Sequence, residues 1–350
     1  MPNTIYLMIT DPTPRLRQLL DSVLDGLPCQ SASPEDLARG HLRGQRVVFA
    51  LGTDDLGMGP ETLTLLRTLR QYPNALTGSA AVVLADGAGE LYTKQAAQAL
   101  VLAANQAGCC FPGKPLVEGT GSLYNQHILA QQLGLSLEKT YHHRAKELVR
   151  RVLDFEAPRF PRPRILMLHA SDNRRSNTVA VGNHVLSHLA PYCDTKTISL
   201  QNGAIYDCRG CSYKACLHFS QNGTCYYGGA LPTEVFPAIL DSDAVLLLCP
   251  NYNDAPSANI MALINRMTGL LLQKPLYDKY LFSIVVSGYS GGDLVARQIL
   301  GALCLNKTMM LPPDFCFFQT ANDPGSAMSA PGIESRLETW SQSILHTLLP

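Results

Sequence analysis

Residues 164–178 read RILMLHASDNRRSNT. The apolar run at 165–168 suits a strand buried on both faces, and the polar turn behind it holds Ser171, Ser176, Asn177 and Thr178. Residues 179–189 then place apolar side chains at helical spacing. A strand that feeds a hydroxyl-rich turn at a helix N-terminus is an anion site, because free backbone N–H groups, side-chain donors and the positive end of the helix dipole converge there. The pattern predicts an α/β unit that opens on a phosphate-binding turn.

Working outward, the same alternation runs through the rest of the chain. Ahead of this stretch, apolar runs at 5–9, 46–51, 80–84 and 116–117 read as strands, and residues 14–24, 61–69, 91–106 and 123–155 as helical sequence. Strands alternating with helices at this spacing predict a parallel sheet covered on both faces. Residues 156–163, EAPRFPRP, form a proline-rich linker without periodicity, so the expected domains are 1–155 and 164–350. The halves also resemble each other: residues 85–100, ADGAGELYTKQAAQAL, run parallel to 287–303, SGYSGGDLVARQILGAL, and 47–69 to 244–267. Loop residues match as well as apolar ones, which implies an internal duplication. Where the second half has its hydroxyl turn, the first has Asp11-Pro12-Thr13-Pro14, and proline removes an N–H that a phosphate would use. The first half is therefore expected to have kept the fold and lost the ligand.

The chain has 350 residues, enough for two domains with their own cores. Its 28 basic and 28 acidic side chains cancel, and no basic stretch stands out, which argues against nucleic acid and anionic membranes as partners. The opening MPNTIYLMIT lacks a cationic segment, and no apolar run of about 18 residues occurs, so a cytoplasmic protein is expected.

In a doubly wound sheet of 2-1-3-4-5 order, the loops after the first, third and fourth strands meet at the switch point, where a mononucleotide binds. In the second half these are residues 170–178, 250–256 and 287–292. The first offers hydroxyls and N–H groups to a phosphate. Pro250, Asn251, Tyr252 and Asn253 present backbone amides and one ring to a flat apolar ligand. Ser287, Gly288, Tyr289 and Gly291 belong to a loop whose glycines let the backbone approach a ring edge.

Together these motifs resemble the NADPH-dependent FMN reductase family of flavodoxin-like proteins. The turn from Ser171 to Ser176-Asn177-Thr178, the Pro250-Asn251-Tyr252 loop, and the Ser257-Ala258-Asn259 and Asn265-Arg266 sequence after it carry the resemblance. It covers most of 164–325 and, more faintly, the first half. What it implies is two tandem flavodoxin-like domains, the second binding FMN and passing hydride from NAD(P)H to a small acceptor such as a quinone, a flavin or a nitro compound. Phosphate contacts would come from Ser171, Ser176, Asn177 and Thr178, and ring contacts from residues 250–253 and 288–291. Asp172 and Asn173 stand where the family carries Pro and Arg, so Arg174 or Arg175 would have to supply a guanidinium. Reductases of this type dimerise, which makes the first half a candidate built-in partner, with a homodimer also open.

Eleven cysteines include Cys208, Cys211, Cys216 and Cys225 within one short segment. The resemblance extends to iron–sulfur flavoproteins, which hold a [4Fe–4S] cluster on four cysteines at this place; here the middle pair is spaced wider than theirs. Zinc and free thiols are the other readings of the motif. Besides a reductase, the sequence leaves open an electron carrier with such a cluster and a non-catalytic flavin sensor.

Overall fold

The computed structural model describes residues 4–171, 175–200, 205–221, 225–272 and 274–350. The chain divides into two units, Met1–Glu156 with Leu311–Asp314, and Ala157–Met310 with Phe315–Pro350.

The first unit runs Ile5–Thr10 (β1), Pro14–Leu24 (α1), Cys29–Ser31 (β2), Pro34–Ala38 (α2), Arg46–Asp54 (β3), Gly57–Met58 (β4), Pro60–Gln71 (α3), Ala80–Gly87 (β5), Thr93–Gln106 (α4), Leu116–Gly119 (β6), His127–Leu133 (α5) and Leu137–Leu153 (α6). The sheet order is β2-β1-β3-β5-β6, all parallel, with β4 folded back antiparallel on β3. Leaving that short hairpin aside, this is the 2-1-3-4-5 order. β5 is buried along its whole length, as a central parallel strand should be. Thr13 caps α1, its hydroxyl accepting from the Leu16 N–H at 3.0 Å, and Pro14 opens the helix; Leu16, Leu19, Leu20 and Val23 then face the core.

Three local features depart from the sequence pattern. β2 is an exposed three-residue edge strand in a stretch that reads as loop, too short and too polar to leave a period. Tyr92 sits at φ 75°, so α4 starts at Thr93. The helical sequence over 123–155 is split where Gly134, at φ 65°, ends α5 and Ser136 caps α6.

The second unit runs Arg164–His169 (β7), Asn177–Leu189 (α7), Asp194–Ser199 (β8), Tyr213–Ser220 (α8), Phe236–Asp241 (α9), Ala244–Pro250 (β9), Ala258–Leu271 (α10), Tyr280–Ser287 (β10), Gly292–Leu300 (α11), Cys316–Thr320 (β11) and Ile333–Leu348 (α12). Its sheet is wholly parallel with order β8-β7-β9-β10-β11, the expected 2-1-3-4-5. The central strands β9 and β10 are buried throughout. α12 packs beside α7 and turns Ile333, Leu337, Trp340 and Ile344 inward, Trp340 meeting the Phe282 ring edge-on at 6.2 Å. Among the described residues no helix is long and apolar enough to cross a membrane.

α7 lies close on the sheet because residue 182 is glycine. A Cβ there would come within 2.7 Å of the Leu248 side chain on β9 and 3.0 Å of Met167 sulfur on β7. Gly182→Val is expected to destabilise the second unit by about 2–3 kcal/mol through overpacking, read as a lower urea midpoint.

Candidate functional site

The carboxyl ends of β7, β9, β10 and β11 open on a cavity of about 540 Å³. Ser171, Arg175, Ser176, Asn177 and Thr178 line one side of it. Ser176 caps α7, its hydroxyl accepting from the Val179 N–H at 3.2 Å. The first N–H groups of the helix, those of Asn177 and Thr178, have no intrahelical acceptor by the geometry of an α-helix. The Asn177 side chain is committed elsewhere: it donates to the Asp323 carbonyl at 2.8 Å and accepts from the Ala327 N–H at 3.3 Å. Only its main chain is left for a ligand. Ser171 is buried, and its hydroxyl has no partner. A buried orphan hydroxyl beside a helix N-terminus fits an anion that supplies the missing bond. Arg174, with Asp172 and Asn173, lies outside the described residues.

Beneath the turn, buried His169 at the end of β7 holds the Ser171 carbonyl through Nδ1 at 3.2 Å. Burial pushes its imidazole below the usual histidine range, against the opposing effect of that bond. The unfolded chain therefore binds the proton more readily than the folded one. This contribution to stability is fully present above about pH 6.5 and is lost as the pH falls through the folded value. The second unit is expected to lose stability on acidification below about pH 6.5, and His169→Gln to flatten that part of the profile of urea midpoint against pH.

On the opposite side, Pro250, Asn251, Tyr252, Asn253 and Asp254 line the cavity together with Gly288, Tyr289 and Ser290. One amide ties the two loops together. Asn251 Nδ2 donates to the Ser290 carbonyl at 2.8 Å and the Ser287 hydroxyl at 3.2 Å, while its Oδ1 accepts from the Asp254 N–H at 2.8 Å. Asn253 and Asp254 both take left-handed backbone, at φ 53° and 61°, which short polar side chains tolerate. Gly291 is at φ 79°, and any Cβ there would collide with the Asp254 carboxylate. Ser287 and Gly291 thus stand behind the lining and support it. Tyr252 and Tyr289 are 55% and 82% exposed, two rings at the mouth available for stacking.

Asp254, within the 250–256 loop, lines the cavity as well; the sequence pattern did not single out Val286, Ala321 or Asn322, which also line it. Ala321 and Asn322 follow β11 directly. The rule that ligands bind beyond the carboxyl ends of the strands would have found them.

In the first unit the corresponding edge is filled by its own side chain. Arg15, in the first turn of α1, donates from Nε to Asp86 at 2.8 Å and from its two terminal nitrogens to the carbonyls of Gly121 at 3.0 Å, Gly87 at 3.1 Å and Thr120 at 2.8 Å. Asp86, only 1% exposed, also accepts from the Thr13 hydroxyl at 2.5 Å. The guanidinium saturates the carbonyls where β5 and β6 end.

The four cysteines depart from the expected cluster. Among the described residues no group of three or more His, Cys, Asp or Glu side chains is placed to hold a metal ion, so the [4Fe–4S] expectation is not supported. Cys208 and Cys211 lie on irregular, exposed chain, whereas Cys216 lies on α8. Ser212, between them, caps that helix through the Ala215 N–H, so the wide middle spacing contains a helix start.

Comparison with known proteins bears on the second unit. Residues 163–323 match the family described as NADPH-dependent FMN reductase, the family whose motifs the turn and loops resemble. No curated protein matches the chain. Similar solved structures include RosB with bound 8-demethyl-8-formylriboflavin-5'-phosphate, at 15% identity over 53% of this chain and 75% of that one, with a TM-score of 0.38. An NADH:FMN oxidoreductase in its apo form is 15% identical over 53% of this chain and 88% of that one, with a TM-score of 0.36. An azoreductase from Bacillus anthracis is 11% identical over 52% and 98%, with a TM-score of 0.38.

Proposed function

We propose that the second unit binds FMN in the cavity between β7, β9 and β10 and works as an NAD(P)H-dependent oxidoreductase on a small flat acceptor. The observation that carries this reading is one cavity shared by three loops of complementary chemistry, within a segment that matches the NADPH-dependent FMN reductase family. Its volume of about 540 Å³ lies inside the range of about 300–1,000 Å³ usual for small-ligand sites.

The Ser171 hydroxyl, the Ser176–Thr178 helix start and the Arg175 side chain would hold the phosphate. The loops at 250–254 and 288–290 would hold the ring, backbone amides facing its edge. FMN, when bound, supplies hydride acceptance and donation, so the chain need not contribute an acid or base. Its own residues position and stabilise. N–H groups of the two loops are dipoles fixed in advance, because Asn251 locks both loops without help from a ligand. Tyr252 and Tyr289 give a planar donor or acceptor two faces to stack on.

In the same reading the first unit is a degenerate copy that binds no flavin. Two features support this: the strand order shared with the second unit and the Arg15 guanidinium at the edge where a ligand would sit. The pair of expectations is tested by titrating purified full-length protein with FMN and then adding NADH or NADPH under nitrogen. The expected result is one flavin per chain, bleached by at least one nicotinamide. Two flavins per chain would refute the reading of the first unit. Failure to bind FMN, or a bound flavin that neither nicotinamide reduces, would refute the reading of the second.

A further inference from the structure

Helix α7 carries a histidine pair that the flavin site does not use. His184 and His188 stand four residues apart, and such residues share a helix face. Their Nε2 atoms are 3.2 Å apart and their ring centroids 4.9 Å, with the ring planes at 63°. The nitrogens are closer than the centroids, so the two rings turn their Nε2 corners toward each other. Both residues are half-buried, while the neighbouring Val185 and Leu189 are fully buried. Imidazole nitrogen binds zinc at about 2.0–2.1 Å, and an ion at that distance from two nitrogens 3.2 Å apart subtends an angle of about 100–105°. That angle lies between the right angle of square-planar or octahedral coordination and the tetrahedral angle. The centroid spacing agrees, since ring axes crossing about 2.1 Å beyond the nitrogens would spread the centroids to about 5 Å.

We propose that His184 and His188 chelate one divalent transition-metal ion of the copper, nickel and zinc class on the outer face of α7, with water in its remaining positions. Neutral imidazole suits these ions, whereas magnesium and calcium call for oxygen ligands. Without metal, two Nε2 atoms at this distance share one hydrogen, one ring donating and the other accepting. On binding, the donating ring moves its proton from Nε2 to Nδ1, and both Nε2 lone pairs then face the ion. His188 lies in the last turn of α7, where the carbonyl end of the helix dipole favours a cation. Two protein ligands leave the site open, so it holds metal less tightly than a closed four-ligand zinc site. His184 stands about 9 Å along the helix axis from Thr178, so the site is separate from the phosphate turn and does not depend on flavin.

The test uses tag-free full-length protein, stripped of metal by chelation and with its solvent-reachable thiols alkylated so that cysteines take no part. Nickel chloride is titrated in by calorimetry. The expected result is one nickel per chain, with the affinity falling at least about tenfold in His184→Gln and in His188→Gln, because the second ring acts as an intramolecular ligand. Asn183→His combined with His184→Gln keeps the number of histidines but sets them five apart, off a common face, and is expected to bind no better than His184→Gln alone. Nickel raises the urea midpoint of the wild type and leaves that of the variants unchanged, and the metal-free midpoints agree, since these side chains are half-buried or exposed. The proposal is overturned if the wild type binds no nickel, if either glutamine variant binds it as tightly as the wild type, or if the five-apart variant keeps the wild-type affinity.

Discussion

Ser176→Asp is expected to weaken FMN binding by at least about 100-fold while leaving the second unit folded. Aspartate is as good an N-cap as serine, so the bond to the Val179 N–H survives, and its charge interacts favourably with the helix start by about 0.3–1 kcal/mol. The same charge sits where the reading places the phosphate. Like charges held together in a partly buried site cost several kcal/mol, and about 2.8 kcal/mol already amounts to a factor of 100. Flavin fluorescence titration gives the affinity, and the urea midpoint of the flavin-free protein gives the fold. Unchanged affinity in a folded Ser176→Asp protein would remove the phosphate from this turn. Ser176→Asn, isosteric with that aspartate and capping without charge, should stay within a few-fold of wild type.

The second large effect belongs to the first unit. Arg15→Met keeps much of the side-chain stem but takes away the donors that serve Asp86 and the carbonyls of Gly87, Thr120 and Gly121. Asp86 is left buried, with the Thr13 hydroxyl still donating to it but no cation beside it. Removing one partner of a buried pair costs about 3–5 kcal/mol. Since Arg15 is itself 24% exposed, the lower end, about 3 kcal/mol, is the expectation. With a urea slope of about 1–3 kcal/mol/M, that moves the first unit's midpoint down by roughly 1–3 M. Adding Asp86→Asn should return part of the loss, because the uncompensated charge is gone. An Arg15→Met protein as stable as wild type would show that the guanidinium closes nothing.

Much of the fold could be read from apolar runs. β5, β7, β9 and β10 are central parallel strands, and burial on both faces leaves continuous Val, Ile and Leu sequence with no other explanation. β2 left no such mark, because an exposed edge strand of three residues places few demands on its side chains. Helix limits were legible where a cap is a side chain, as at Thr13, and illegible where the backbone decides, as at Tyr92.

The candidate site divides along the same line. The hydroxyl turn, the Pro250 loop and the Gly288 loop each stand out in the sequence, because each meets a local demand: free N–H groups, a flat apolar surface, a close backbone approach. Their convergence on one cavity follows from strand order, which local sequence does not encode. Which side chains point at a ligand and which only support others was decided by tertiary contacts: Asn177 spends its amide on the 323–327 loop, and Ser287 backs Asn251. The four-cysteine motif is the clearest case. The sequence placed four thiols within a few turns of chain, but whether they surround a metal depends on distances in three dimensions, and among the described residues no group of them is placed to hold one. Periodicity and turn chemistry are properties of neighbouring residues, so the sequence by itself determined the strands, the hydroxyl-rich turn and the loops that follow the other strands. The Arg15 closure of the first unit joins residues more than 70 positions apart, and only the folded sheet could bring them together.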